Sequence, residues 1–342
     1  MAKTHARTSA PLTAGALPRT SEVPAPRAAG DDAPSVSVII PTVDREKLLL
    51  RAVRSVAAQD YLGPIEIVVV RDGTPSADAT AELEQTMSAE LRPGVSLRQV
   101  PNTRSKGLPG ARNSGILAAG HDLVAFCDDD DEWLPGKLSA QVPLLLRTPS
   151  ASMIATGVSV VTHGVANHRP GPLRPTTLED LITRRIMELH PSTFLIRRSD
   201  LVGAIGLVDE ELPGGYAEDY DLLLRAAAVG PVLSVPRPLV RVHWHGSSYY
   251  FSKWQMIHDS LDVLLDKHPQ FASIPRGQAR IRGQQAIALA AMGRRRQALG
   301  TAIATLRLNR TEPRAYLAAA VASGVVGVEG IQRFLHRRGR GL

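Results

Sequence analysis

An apolar run, Leu123-Val124-Ala125-Phe126-Cys127, ends in four consecutive aspartates, Asp128, Asp129, Asp130 and Asp131. Few folds can accommodate that junction. A buried strand that ends in packed carboxylates is electrostatically costly unless a cation sits beside it. A divalent metal bound through oxygen is one remedy, and Mg²⁺ or Mn²⁺ held by one or two carboxylates ordinarily shares its other positions with a diphosphate. A solvated acidic turn ahead of a helix is the second reading, because aspartate favours helix N-termini. Taken alone the run leaves both open.

The surrounding pattern narrows the choice. Ser35–Ile40 is short, β-branched and stopped by Pro41, and Ile65–Val70 is a second such run closed by Arg71-Asp72-Gly73. Both read as buried strands. Residues 45–59 carry Leu48, Leu49, Ala52, Val53, Val56 and Ala57 at helical spacing, and 77–91 reads as a helix. A short strand at 96–100, a glycine-bearing loop at 105–110 and a helix from about 110 to 119 lead to the strand at 122–127. Alternation of this kind predicts an α/β fold, a mostly parallel, Rossmann-like sheet flanked by helices. Ligands of such sheets bind beyond the carboxyl ends of the strands, where Pro41-Thr42, Arg71-Asp72 and the acid run all fall.

After residue 135 the rhythm changes. A helix at about 136–147, a strand at 151–162 and a proline-rich loop at 169–176 are expected, then helices at about 177–187 and 217–229. Residues 255–342 read as helical, with a hairpin over 278–309 turning at Gly293. The expected organisation is a disordered leader over 1–34, an α/β domain over 35–254 and a basic, all-helical C-terminal appendage over 255–342. The leader is rich in Ala, Pro, Thr and Arg and has no central apolar block, unlike a secretory signal.

Charge divides the chain. Residues 276–342 hold 13 arginines against Glu312 and Glu329, a net of +11, so the first 275 residues sum to −4 within the overall +7. Such a tail suits nucleic acid or an anionic membrane surface. Ala286, Leu289, Ala290, Leu299, Ile303 and Leu306 are spaced for a packed hairpin with arginine on its solvated face, and interleaved aromatics are missing, which argues against nucleic acid. One cysteine, Cys127, rules out an intrachain disulfide and suits a reducing compartment.

Four segments together resemble the family-2 glycosyltransferases, nucleotide-sugar enzymes of the GT-A fold: Val36–Thr42, Val69–Thr74, Gly110-Ala111-Arg112-Asn113-Ser114-Gly115 and Phe126–Pro135. In order and spacing they cover roughly residues 35–250. The resemblance implies an inverting transfer of a sugar from a nucleotide-diphosphate donor, UDP- or dTDP-linked, to a hydroxyl acceptor, which could be lipid-linked, in surface polysaccharide or glycoconjugate synthesis. It implies a cytoplasmic setting, with the basic tail at the inner face of the cell membrane.

Residue by residue, the resemblance makes Asp72 the partner of the nucleotide base, with Pro41 and Thr42 beside it. Where the family commonly has a second acid this chain has Arg71, which could lie against a phosphate or ribose. Arg112, read as opening a helix, is expected to hold the diphosphate, since a guanidinium at a helix N-terminus makes an anion site. Asp130 is expected as the direct metal ligand with Asp128 as the second metal residue, Asp128 also reaching the sugar or ribose, and Asp129 is counted with the donor-binding residues although its side chain should point away from the metal. Glu218-Asp219 resembles the family's acidic pair, in which Asp219 would deprotonate the acceptor; neighbouring carboxylates can raise one pKa toward the working range. His245, in Arg241-Val242-His243-Trp244-His245, is expected at a phosphate or the acceptor, and His190-Pro191-Ser192 could line the acceptor pocket.

Two other classes compete. A nucleotidyltransferase or Rossmann oxidoreductase would share the alternation, but no G-x-G-x-x-G or P-loop follows the first strand. A nucleic-acid-binding protein would rest on the arginine-rich tail alone.

Overall fold

The structure, a computed structural model, describes residues 33–73, 77–162, 164–244 and 253–327. Nearly all of the expected leader, His245 and the tail from residue 328 lie outside the described residues.

Strand β1 (Val36–Thr42), helix α1 (Glu46–Ala57), β2 (Ile65–Arg71), α2 (Ala77–Ser88), β3 (Val95–Pro101), α3 (Leu108–Ala118) and β4 (Leu123–Phe126) alternate as the sequence predicts. These four strands pair in parallel in the order β3-β2-β1-β4. Their side chains divide between the faces with a period of two. Val38, Ile40, Ile67 and Val69 join Leu49, Val53 and Val56 of α1 in one buried cluster. Ile39, Val68 and Val70 join Ala111 and Ile116 of α3 in another. A Cβ on Gly115 would lie 2.3 Å from Ile39 Cγ2, so the backbone of α3 rests directly on β1.

Beyond β4 come β5 (Glu132–Trp133), α4 (Lys137–Arg147), β6 (Met153–Thr162), β7 (Val165–Arg169), α5 (Leu178–Thr183), β8 (Leu195–Arg197), α6 (Arg198–Val202), α7 (Glu218–Val229) and β9 (Val232–His243). They extend the sheet to nine strands in the order β3-β2-β1-β4-β8-β6-β9-β5, with β7 on β6. This half is mixed: β8 runs antiparallel to β4 and β6, while β9 runs parallel to β6. The long strand β9 lacks a clean sequence pattern because Pro236 and Pro238 interrupt it. Its register against β6 shifts around Gly157, opposite Pro238, the irregularity at which a residue without an N–H is tolerated. Helix α5 stops at Thr183, short of the expected 187, because Arg184 takes an extended backbone that turns the chain toward α7.

The C-terminal helices are α8 (Trp254–Lys267), α9 (Pro275–Ala291), α10 (Arg295–Leu308) and α11 (Pro313–Ala322). The hairpin of α9 and α10 turns at Gly293, whose φ is +74°, a left-handed conformation that favours glycine. The hydrophobic core runs across the expected boundary at 254/255. Ile257, Leu261, Leu264, Phe271 and Ile281 belong to the same cluster as Phe194, Leu223 and Leu224. A polar clasp reinforces it: buried Asp221 of α7 accepts from Lys267 Nζ at 2.9 Å and lies 2.8 Å from His268 Nε2. Among the described residues no helix is long and apolar enough to cross a membrane.

Candidate active site

The carboxyl ends of β1, β2 and β4 bring Thr42, Asp72 and the acid run to one edge of the sheet. Thr42, Val43, Asp44, Arg71, Asp72 and Gly73 line a shallow recess there. Pro41 is buried in β1 opposite Val70 and sets the position of Thr42 rather than offering a surface. Asp72 anchors the glycine-bearing loop: one oxygen accepts from Asn102 Nδ2 at 2.7 Å and the other from the Gly107 amide at 2.8 Å. Gly110 lets that loop close on α3, since a Cβ there would meet Ser105 O at 1.9 Å. The expectation that Arg71 lies against a phosphate or ribose is not met. Its buried guanidinium binds Glu46 Oε1 at 2.5 Å and Gln99 Oε1 at 2.7 Å, a clamp between β2, α1 and β3.

The protein's own guanidinium groups offset much of the acid run. Asp129 is fully buried against the end of β1, accepting from Thr42 Oγ1 at 2.6 Å and from Arg45 Nε at 3.0 Å. Burial raises its pKa to about 6 despite those donors. Asp130 lies 3.0 Å from Arg45 Nη1, and its carbonyl accepts from Arg51 Nη2 at 2.7 Å. Asp128 accepts from Arg112 Nη2 at 2.6 Å.

Among the described residues no guanidinium pairs with Asp131. It is buried and accepts from Ser192 Oγ at 2.6 Å, and burial followed by the Asp128 charge pushes its carboxyl well above the usual range. His190 Nδ1 lies 3.4 Å from Asp131 Oδ2 and accepts from the Ser192 amide at 3.4 Å. Asp128, Asp131 and His190 bring one ligand atom each within 4.8 Å of one another. Burial lowers the His190 pKa, which keeps a ring lone pair available, and two carboxylates with an imidazole suit Mn²⁺. Asp128 therefore stands in the metal-capable group, whereas Asp130, expected as the direct ligand, is turned onto Arg45.

Arg112 sits one turn inside α3, not at its start, and is 1% exposed. It does not form the expected helix-terminal anion site. Nη1 is bound to Glu218 Oε1 and Nη2 to Asp128, and the guanidinium lies 5.6 Å from the Phe126 ring centroid. One buried arginine thus joins the acid run to the acidic pair of α7.

Within that pair the electrostatics set the two carboxyls apart. Burial raises Glu218 to about 7 against the pull of Arg112. Asp219, which burial would raise, is instead held below the ordinary carboxylate range by Arg185, whose Nη2 binds Asp219 Oδ2. Asp219 Oδ1 accepts the Tyr220 amide at 2.7 Å. Ala217, just before the pair, has φ +65°, a left-handed conformation that non-glycine residues seldom adopt and that clusters at functional sites. Nearby, Glu132 collects Arg241 Nη1 at 3.2 Å and His243 Nε2 at 2.5 Å, which β5–β9 pairing brings together. Cys127 is buried and burial pushes its thiol well up, so it packs rather than reacts.

The model of the family described as "Glycosyl transferase family 2" matches residues 37–202. The chain is 28% identical over 218 residues to the amylovoran biosynthesis glycosyltransferase AmsB of Erwinia amylovora, covering 61% of this chain and 69% of that protein. It is 32% identical over 199 residues to an uncharacterized glycosyltransferase of Mycobacterium tuberculosis H37Rv, covering 58% of this chain and 70% of that protein. Among solved structures, S. aureus TarS 1-349 in complex with UDP-GlcNAc aligns with a TM-score of 0.58 at 19% identity, over 90% of this chain and 92% of that one. Mannosyltransferase PcManGT of Pyrobaculum calidifontis in complex with GDP-Man and Mn²⁺ aligns with a TM-score of 0.53 at 18% identity, over 88% and 82%. These likenesses give the same fold.

Proposed function

The chain belongs to glycosyl transferase family 2, and on that premise we propose that it transfers a sugar from a nucleotide-diphosphate donor to a hydroxyl acceptor with inversion at the anomeric carbon. One observation carries this reading. Buried Arg112 ties Asp128, at the sheet edge that carries the recess, to Glu218, the neighbour of Asp219, so the carboxylates assigned to donor and acceptor share one ion-paired cluster.

In this reading Asp219 is the general base. A base must be unprotonated to act, and Arg185 keeps the Asp219 carboxyl ionised at neutral pH. The acceptor oxygen loses its proton to Asp219 as it attacks the anomeric carbon, while the bond from that carbon to the diphosphate oxygen breaks and the nucleoside diphosphate leaves. Asp128, Asp131 and His190 would hold a divalent ion, Mg²⁺ or Mn²⁺, which supplies neutralising charge to the departing diphosphate. The UDP- or dTDP-linked donor follows from the resemblance that sets Asp72 against the base: each Asp72 oxygen accepts one N–H of the protein, from Asn102 or Gly107, and keeps a lone pair for the ring N–H of a uracil or thymine. The name of AmsB supports an acceptor in polysaccharide synthesis, which a lipid-linked glycan would satisfy.

The test is a mass-spectrometric screen for nucleoside diphosphate released from a panel of nucleotide sugars with Mg²⁺ or Mn²⁺. No release from any member with either ion would overturn the reading. The metal assignment has its own check. Loss of an outer-shell partner alone weakens a metal site about 10- to 100-fold, so His190→Ala should weaken Mn²⁺ binding, followed by electron paramagnetic resonance, at least about 10-fold. Unchanged binding in His190→Ala together with loss in Asp130→Ala would move the ion to Asp130.

The helix α10 supports a membrane contact for a cytoplasmic enzyme. It exposes Leu299 (38%) and Ile303 (53%) on a surface that also carries exposed Arg295, Arg296 and Arg307. Each arginine near an anionic surface contributes about 1 kcal/mol. The chain is expected to sediment with anionic liposomes at low salt and to be released at high salt. Sedimentation indifferent to lipid charge would remove this contact.

A further inference from the structure

Arg280 belongs to the basic C-terminal region, yet it points into the α/β domain. The side chain on α9 is 7% exposed, and its Nη2 donates to Tyr220 Oη at 2.5 Å. Its guanidinium carbon lies 5.3 Å from the Tyr220 ring centroid. The same ring carries a second guanidinium, that of Arg185, at 4.8 Å, and Arg185 is the ion-pair partner of Asp219. Tyr220 is itself buried and donates its hydroxyl proton to Leu181 O at 2.7 Å, so the ring is fixed at its tip as well as across its face. The basic tail is therefore not separate from the residues expected to do chemistry.

Such an arrangement is costly. Among the described residues no carboxylate faces Arg280; the charges near it, Arg314 and Arg185, oppose its own, and its buried Nε has no hydrogen-bond partner. An apolar side chain of similar volume would pack there at lower electrostatic cost. In return the guanidinium obtains the Tyr220 hydroxyl and ring face, through a charge-assisted hydrogen bond and a cation–π contact, and a long 3.5 Å bond from the same Nη2 to Ile182 O.

We propose that Arg280 is a positioning residue for the general base: it fixes Tyr220, whose ring is the platform on which Arg185 lies, and Arg185 sets the orientation of Asp219. The proposal rests on the reading of Asp219 as base. It assigns the C-terminal helices a part in turnover that does not involve membrane or substrate contact.

The test compares Arg280→Met, Arg280→Lys and Tyr220→Phe with the parent chain, measuring donor hydrolysis with water as acceptor on a nucleotide sugar that the enzyme accepts. Arg280→Met should lower kcat about 10-fold or more while KM for the donor stays within about twofold. Tyr220→Phe keeps the ring and removes the hydroxyl, and should move kcat in the same direction. The two losses should not multiply in the double variant, because they interrupt one chain of contacts. Arg280→Lys, which keeps the charge and one donor, should recover part of the rate. Wild-type kcat in Arg280→Met, losses that multiply, or a loss of kcat accounted for by loss of folded protein with Tyr220→Phe unaffected would each overturn the inference. Asp219→Asn in the same assay separates the two readings. Retained turnover there removes the base, and the inference with it. An inactive Asp219→Asn beside a fully active Arg280→Met removes the Arg280 inference alone.

Discussion

Asp219→Asn should lower turnover at saturating donor by about 10²- to 10⁴-fold, the range in which a positioned acid or base contributes. Donor affinity, measured by calorimetry with the nucleoside diphosphate and metal, should stay within a few fold. The substitution keeps the shape of the side chain and removes its charge, and Asp219 adjoins Glu218, which stands across Arg112 from Asp128 at the sheet edge. Loss would therefore fall on proton removal, not on donor capture. Donor affinity that collapses while turnover at saturation survives would put Asp219 in the binding site and leave the base elsewhere.

A second large effect is expected on stability. Arg112→Met leaves Glu218 and Asp128 without their shared cation, Glu218 in a buried position. Removing one member of a buried ion pair destabilises by about 3–5 kcal/mol, because an uncompensated charge remains inside. The loss should appear in the midpoint of denaturant unfolding, and adding Glu218→Gln should restore part of it by removing one of the stranded charges. Equal midpoints for parent and Arg112→Met would mean that the triad is solvated enough to be dispensable.

Much of the site was legible because its residues stand at the ends of continuous apolar runs. β1, β2 and β4 are short and buried, and the polar residues that stop them, Thr42, Asp72 and Asp128, meet at the sheet edge where a parallel sheet must place them. Partnerships were not legible. Arg71 and Arg112 sit beside a turn and a glycine loop, local settings that suggest a ligand, but their charges are taken by Glu46, Glu218 and Asp128. Arg45 and Arg185 carry no local signal at all, since the acids they hold lie 84 and 34 residues away in sequence. The strand β9 was hidden for a backbone reason: its prolines erase the alternation on which strand recognition depends, and only pairing with β6 identifies it.

The core shared across residue 254 bears on how such an enzyme can change over evolutionary time. Where a tail hangs from a finished domain, recombination can exchange it and alter specificity in one step. Here Leu261, Leu264, Phe271 and Ile281 close one side of the α/β core, and Asp221 is buried against Lys267 and His268. A foreign tail would have to match that surface and satisfy that carboxylate before the protein could fold. The helical region and α7 therefore form one folding unit, and exchange of the tail alone should cost the protein its fold before it could change what the enzyme acts on.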